Sequence, residues 1–358
     1  VDELRVVDCR GGPLERGRAH GEEVRSELRE FYASWIEMAC RESGVAEREL
    51  VSYTETLLPA CREYCAELVD EVEGIATGAG MDFGSVFLIN CYDEVDLHGP
   101  ALTKATLHGC TSFAATGRAT RDGRMYIGQG WDTPPVIRPY LLRLTGDDQP
   151  DVLVLSHAGM VGGTGINQHG LAVCWNSLKA RDVGPGVPVP FVVRKALQAT
   201  ELAELVGNVI RAPRANGMNF VAADAEAAVD IELSATRFHT TYCSGILAHA
   251  NHFEAPELLE FEADFPLRFP DTLLRSGRMK LLLEEKFGSI DREALQLILA
   301  DHSGGPGSIC RHQEARGMQT QAAVLYDPAE RALWASNGNP CSQPFLQYSL
   351  LAERREQT

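Results

Sequence analysis

No apolar run in this 358-residue chain approaches the roughly 18 residues that a membrane-spanning helix requires, so no membrane segment is expected. Positive charge is scarce: 33 Lys and Arg stand against 50 Asp and Glu, a formal net charge of -17. A phosphate backbone would be repelled by that balance, which excludes nucleic acid as an expected partner. The acidic residues are spread along helical stretches, where a solvated surface accounts for them. The chain also lacks a GxGxxG phosphate loop, a GxSxG nucleophile elbow, an internal repeat and a low-complexity linker. Asp301, His302 and Ser303 adjoin in sequence, but triads assemble in space, and a serine hydrolase is not expected. Val1 opens no basic and apolar leader, so no signal peptide is expected.

Ten cysteines are scattered without the density of a disulfide scaffold, a usage that suits buried thiols in a reducing cytoplasm. Cys61 and Cys65 share a helix face yet lack a partner pair at metal-binding spacing. His249 and His252, three apart, lack a third ligand nearby and are read as structural hydrogen-bonding groups around Asn251. No metal and no cofactor is expected.

Hydrophobic periodicity divides the chain by type of element. A short strand in "ELRVVDCRG" precedes helical patterns over residues 14–39, 47–80 and 83–95, where Gly78 and Gly80 read as helix stops. From Leu107 onward strands dominate, interrupted by helices over 190–212 and near 273–300, and a hairpin over 318–338 closes the pattern. Strands in two runs with helices before, between and after them imply an α+β domain in which helices cover a pair of mainly antiparallel sheets.

The stretch "TLHGCTSFAATGRATRDGRMYIGQGWD" (106–132) carries the chemistry. It reads as a hairpin turning at Arg121-Asp122-Gly123, with a Gly-Cys pair at one open end and Asp132 at the other. A glycine before a cysteine permits backbone geometry closed to other residues, and so a strained Gly109–Cys110 peptide that the thiol can attack. Hydrolysis of the resulting thioester would leave Cys110 as a new N-terminus. Its free α-amine, titrating near 7.7 to 8.0, would be the thiol's own base. Such a site needs a carboxylate to orient the amine and polar donors for an oxyanion. Asp132 is the candidate for the first, although a turn residue before Thr133-Pro134-Pro135 is an equal reading.

These strings resemble those of the acyl-coenzyme A:6-aminopenicillanic acid acyltransferase-like family (peptidase C45-like) of N-terminal-nucleophile (Ntn) hydrolases. "HGCTSF…GQGWD" is similar to the family's "DGCTT…GQNWD", "HANHF" to "HTNHC", and "GSICRHQE" to "FSICRAYEE". "GGTGINQHGLAVCWNSL" and "AAVLYDPAERALW" find counterparts in the same order, so the likeness runs from Cys110 to about Trp334. It implies an αββα sandwich in which residues 1–109 form a mostly helical α-chain within the same globule and 110–358 the β-chain. Cys110 would be both processing and catalytic nucleophile, and Gly109 the released C-terminus. By the same likeness Asp132 would hold the amine, Asn251 would supply an oxyanion-hole amide, with Asn176 a second candidate, and the Ser112 hydroxyl would assist cleavage. Arg316, Trp131 and Trp175 are candidate substrate contacts, with an acyl pocket expected from the α-chain helices and from loops around the two tryptophans. His108 and Gly130 depart from the family strings, where an acidic residue and Asn stand.

The expected activity is hydrolysis of a small-molecule or peptide-like amide through an S-acyl-enzyme. Acyl transfer from a thioester donor to an amine is the alternative, and an unprocessed, non-catalytic binding homologue the third reading. The expected partners are that substrate and the chain's own α-fragment, with no membrane; homo-oligomerisation is left open.

Overall fold

The computed structural model describes residues 3–98, 109–312 and 317–350. Strand β1 (Val6–Arg10) leads into helices α1 to α6 (Pro13–Glu23, Arg25–Ser43, Glu47–Glu55, Leu58–Ala79, Phe83–Asn90, Tyr92–His98). Strands β2 to β7 follow (Thr111–Ala115, Tyr126–Thr133, Pro139–Thr145, Val152–His157, Thr164–Asn167, Ala172–Leu178), then α7 (Val189–Ala196) and α8 (Leu202–Arg211). Next come β8 to β11 (Gly217–Ala223, Ala228–Leu233, Phe238–Tyr242, Ile246–His249) and α9 to α11 (Phe265–Arg268, Asp271–Glu285, Arg292–Leu299). The last described elements are β12 to β14 (Gln319–Asp327, Ala332–Asn337, Leu346–Ser349).

The strands form two sheets, β1-β4-β5-β6-β7-β8-β9-β10 and β11-β2-β3-β12-β13-β14, and every pairing is antiparallel except β1 with β4. One large apolar cluster joins the first sheet to α1–α8, and a second places Met279, Leu283, Leu295 and Ile298 of α10 and α11 beneath Phe113, Ala323, Leu325 and Trp334 of the second sheet. The α+β reading with two layered, mainly antiparallel sheets therefore holds. Strand β14 was not read from the sequence, because "FLQYSL" is short and sits among turn residues.

The N-terminal segment is built into the sandwich. Strand β1 completes the edge of the first sheet, with Val6 opposite Leu141. Helices α1 and α4 touch backbone to backbone through paired glycines: a Cβ on Gly17 would lie 2.0 Å from the Glu71 carbonyl oxygen, and one on Gly74 2.4 Å from that of Leu14. Gly78 belongs to this contact rather than to the helix stop. Gly80, at φ 62°, ends α4 in the left-handed region as expected.

Not all the acidity is surface. Glu71 is buried between two buried arginines: Arg194 donates to both carboxylate oxygens (2.6 and 3.0 Å), and Arg16 Nε donates to Oε2 (3.3 Å). Arg16 also reaches Asp148 with two bonds (2.6 and 3.0 Å). The network ties α1 and α4 to α7 and to the loop after β4. All ten cysteines are unpaired, and all but Cys40 and Cys341 are buried. Among the described residues no helix is long and apolar enough to cross a membrane.

Candidate active site

Side chains from both sheets meet between the layers close to the start of β2. Ser112, on β2, donates to Asn176 Oδ1 on β7 at 2.5 Å, which spans the two sheets. Gln129 of β3, directly opposite Ser112 in the ladder, also crosses. Strand β6 pairs with β7 only as far as Gly165 and Val173. Past that point the Gln129 amide donates to the Trp175 carbonyl (2.6 Å) and accepts from its N–H (3.1 Å). These buried amides fix the spacing of the layers, and Asn176 Nδ2 is left buried without a partner.

The hairpin register brings Gly109 and Asp132 together. Thr111 pairs with Gly130, so continuing the ladder sets Cys110 beside Trp131 and Gly109 beside Asp132. Asp132 is fully buried. Its Oδ1 accepts from Thr320 Oγ1 on the neighbouring strand β12 (2.7 Å), while Oδ2 has no hydrogen-bond partner and lies 3.9 Å from Arg311 Nε. Burial pushes the Asp132 carboxyl up to about 6, against the pull of Arg311 and Arg275. The turn-residue reading of Asp132 is replaced by a buried strand position.

Gly109 is needed for space. A Cβ there would lie 2.1 Å from Arg311 Nη1 and 3.4 Å from Asp132 Oδ2. The guanidinium lies across the glycine Cα. Gly109→Ala is therefore expected to displace Arg311 and slow any cleavage at this bond by at least about tenfold, a misplacement effect read by the rate of fragment appearance in mass spectra.

Two arginines that the sequence reading missed organise the rest. Arg275, buried on α10, donates from Nη1 to the Cys110 carbonyl (2.7 Å) and to Thr111 Oγ1 (2.7 Å), and from Nη2 to Asn251 Oδ1 (3.0 Å). Since a guanidinium can only donate, it fixes the Asn251 amide with its oxygen toward Arg275 and its nitrogen away, toward the Ser177 carbonyl (3.1 Å). Asp271 accepts from both Arg275 (3.4 Å) and Arg311. Arg311 stands in the quoted string "GSICRHQE", which offered a signal; Arg275 stands in "LLRSG", which offered none.

Cys110, only 5% exposed, thus lies with its carbonyl on Arg275 and its preceding residue on Arg311 and Asp132. Asn251 joins this group through Arg275, and Ser112 and Asn176 lie on the neighbouring inter-sheet contact. Trp131 and Trp175 lie on strands β3 and β7, within stretches that read as strands from the sequence. They pack edge to face at 6.0 Å in the buried interior. Arg316 lies outside the described residues, as does His108. A Cβ on Gly130 would come no nearer than 3.8 Å to any neighbour, so the departure from the family's Asn leaves room for a side chain.

The histidines of "HANHF" take different roles. His252 Nδ1 meets Thr272 Oγ1 (3.0 Å), the hydroxyl that also accepts from the Asn251 N–H (2.7 Å). His249 instead joins Asp230 and Glu232 in a buried cluster, with Nε2 3.3 Å from Glu232. Burial opposes its charge, but Asp230 and Glu232 outweigh burial and push His249 up to about 9. A histidine raised above its usual 6.5 stabilises the fold fully below pH 6.5 and loses that contribution as pH rises through about 9. Stability is expected to fall across that interval by on the order of 3 kcal/mol, read as a falling thermal midpoint, and the slope to flatten in His249→Gln. An unchanged slope in the variant would contradict the assignment.

Comparison with known proteins turns this geometry into an identity at the family level. The family model described as acyl-coenzyme A:6-aminopenicillanic acid acyl-transferase matches residues 118–342. The chain belongs to that family. An acyl-coenzyme A:6-aminopenicillanic-acid-acyltransferase 40 kDa form of Emericella nidulans is 26% identical over 346 residues, covering 93% of this chain and 92% of that protein. An uncharacterized protein of Archaeoglobus fulgidus is 23% identical, over 97% of this chain and 66% of its own length. Among solved structures, penicillin V acylase from Agrobacterium tumefaciens aligns with a TM-score of 0.43 at 10% identity, covering 67% of this chain and 86% of that one. A conjugated bile acid hydrolase variant from Clostridium perfringens aligns with 0.40 at 13%, covering 67% and 96%. The family match begins downstream of Cys110, so the role of that residue is argued from its surroundings.

Proposed function

We propose that this member of the acyltransferase family is an autoprocessing N-terminal-cysteine amidohydrolase. The observation that carries the reading is the buried Asp132, whose Oδ2 accepts no hydrogen bond, lies 3.9 Å from Arg311 Nε and faces Gly109 at the open end of the hairpin. Arg311 compensates this buried carboxylate only in part, and an α-ammonium formed at Cys110 would supply a further cation at that position.

In processing, the Cys110 sulfur attacks the Gly109 carbonyl carbon, the C–N bond breaks, and the nitrogen leaves as the α-amine. Water then cleaves the thioester, giving a Gly109 carboxylate and a free Cys110 thiol. In turnover the α-amine takes the thiol proton, and the thiolate attacks the substrate carbonyl. The proton passes to the leaving amine as the tetrahedral intermediate collapses to the S-acyl-enzyme. Asn251 Nδ2 keeps one hydrogen beyond its bond to Ser177 and is the proposed oxyanion donor, with Asn176 Nδ2 the second. Arg275 acts as a positioning residue for both Cys110 and Asn251.

Hydrolysis follows when water accepts the acyl group. Transfer to an amine is the second reading, supported by the activity named for the Emericella nidulans relative. The two are separated by supplying acyl thioesters and amides to the processed protein with and without an amine acceptor. An acyl mass adduct on the fragment beginning at Cys110, lost to free acid in water, supports hydrolysis. Acylated amine as the main product would favour transfer, and no adduct from any donor would favour a non-catalytic binding homologue.

A further inference from the structure

Around the loop that carries Arg311, four ligand-type side chains converge from two loops. His302, Cys310 and His312 come from the connection between α11 and β12, and Cys341 from the turn between β13 and β14. One donor atom from each lies within 4.8 Å of all the others. The Nε2 atoms of His302 and His312 are 3.0 Å apart, and Cys341 Sγ is 3.5 Å from the same His312 Nε2.

Hydrogen bonding alone accounts poorly for this arrangement. An imidazole nitrogen carries either one proton or one lone pair, so it makes one good bond along one direction. His312 Nε2 is approached by two polar atoms. A shared cation in the middle resolves the conflict: zinc–nitrogen bonds of about 2.0–2.1 Å and zinc–sulfur bonds of about 2.3 Å in a tetrahedron imply nitrogen–nitrogen edges near 3.3 Å and nitrogen–sulfur edges near 3.6 Å. Both observed separations are within about 0.3 Å of those edges.

The surroundings fit as well. Asn339 Nδ2 donates to Cys310 Sγ (3.5 Å) and to the Arg311 carbonyl (2.5 Å), the kind of N–H donor that steadies a metal-bound thiolate. The Asp301 carbonyl accepts from the Cys310 N–H (3.0 Å), and Asp301 is held in turn by Arg278 (2.8 and 3.1 Å). Each ligand loop is thus tied down by bonds of its own.

We propose that His302, Cys310, His312 and Cys341 form a tetrahedral zinc site that clips the loop carrying Arg311 to the turn before β14. Binding sends one proton from each thiol to solvent, and the two thiolates balance the dication. Arg311 is flanked in sequence by two ligands, so the metal fixes the arginine that covers Gly109 and faces Asp132. The ligand positions 302, 310, 312 and 341 match no short metal-binding spacing, which is why the sequence pattern gave no warning of them.

Elemental analysis of the full chain, purified under reducing conditions without metal-affinity chromatography, tests the site. About one zinc per chain is expected in the wild type, falling at least about tenfold in Cys341→Ser and His302→Ala. Cobalt titration of the metal-stripped wild type guards against misfolded variants: tetrahedral d–d absorption with thiolate-to-cobalt charge transfer is expected. A wild type that holds no zinc and gives no such spectrum would overturn the proposal. So would full zinc content in both variants, or a Cys310–Cys341 disulfide in the reduced, zinc-supplied protein.

Discussion

Cys110→Ala is expected to leave the chain as one uncut polypeptide and to lower amide turnover by at least about 10⁴-fold, since it removes the group on which both reactions depend. Cys110→Ser separates the two roles. A hydroxyl can complete the acyl shift slowly yet is a far poorer nucleophile than a thiolate, so cut but nearly inactive protein is the expected result. Asp132→Asn should act on another step. It keeps the Thr320 bond but removes the charge facing Gly109, so the α-amine loses its partner and the pH dependence of turnover shifts while the fold is retained. Undiminished turnover in Cys110→Ala, measured on whichever amide or thioester the wild type uses, would end the mechanism.

Glu71→Gln is expected to destabilise the protein by about 3–5 kcal/mol, the cost of leaving buried guanidinium groups without their carboxylate. Arg194 has both of its Glu71 bonds at stake, and Arg16 would retain Asp148 and the Gly11 carbonyl. The thermal midpoint should drop by roughly 5–10 °C. A double variant, Glu71→Met with Arg194→Met, should recover part of that loss, because apolar side chains of similar length remove the stranded charge. A loss under about 1 kcal/mol for Glu71→Gln would show that water or rearrangement compensates the arginines. The network matters beyond stability: it fastens α1 and α4, in the segment upstream of Gly109, to the body of the sandwich. That attachment would hold the α-fragment in place after cleavage.

Local pattern carried the hairpin and the helix order well. The turn at Arg121-Asp122-Gly123 gave the β2–β3 pairing, and from it the facing of Gly109 and Asp132 follows by register. Long-range packing is where sequence reasoning failed. Arg275 reaches Cys110 across 165 positions of chain, and no spacing rule connects them. Gly78 looks like a helix stop until α1 is placed against it, and the steric need for Gly109 shows only once Arg311 is seen covering it. Trp131 and Trp175 fall in stretches that alternate as strands and are buried strand positions, but no local pattern shows that they pack against each other. Arg316 remains outside the described residues. The helical N-terminal segment reads correctly because apolar periodicity is a local property, while its fastening through Glu71 depends on partners far along the chain.

Intact mass of the purified protein under denaturing conditions, with Cys110→Ala alongside, tests the central claim most directly. The expected wild-type spectrum contains two fragments, one ending at Gly109 and one beginning with Cys110, against a single chain in the variant. One uncut mass in both proteins would contradict the N-terminal cysteine and every catalytic step built on its free amine.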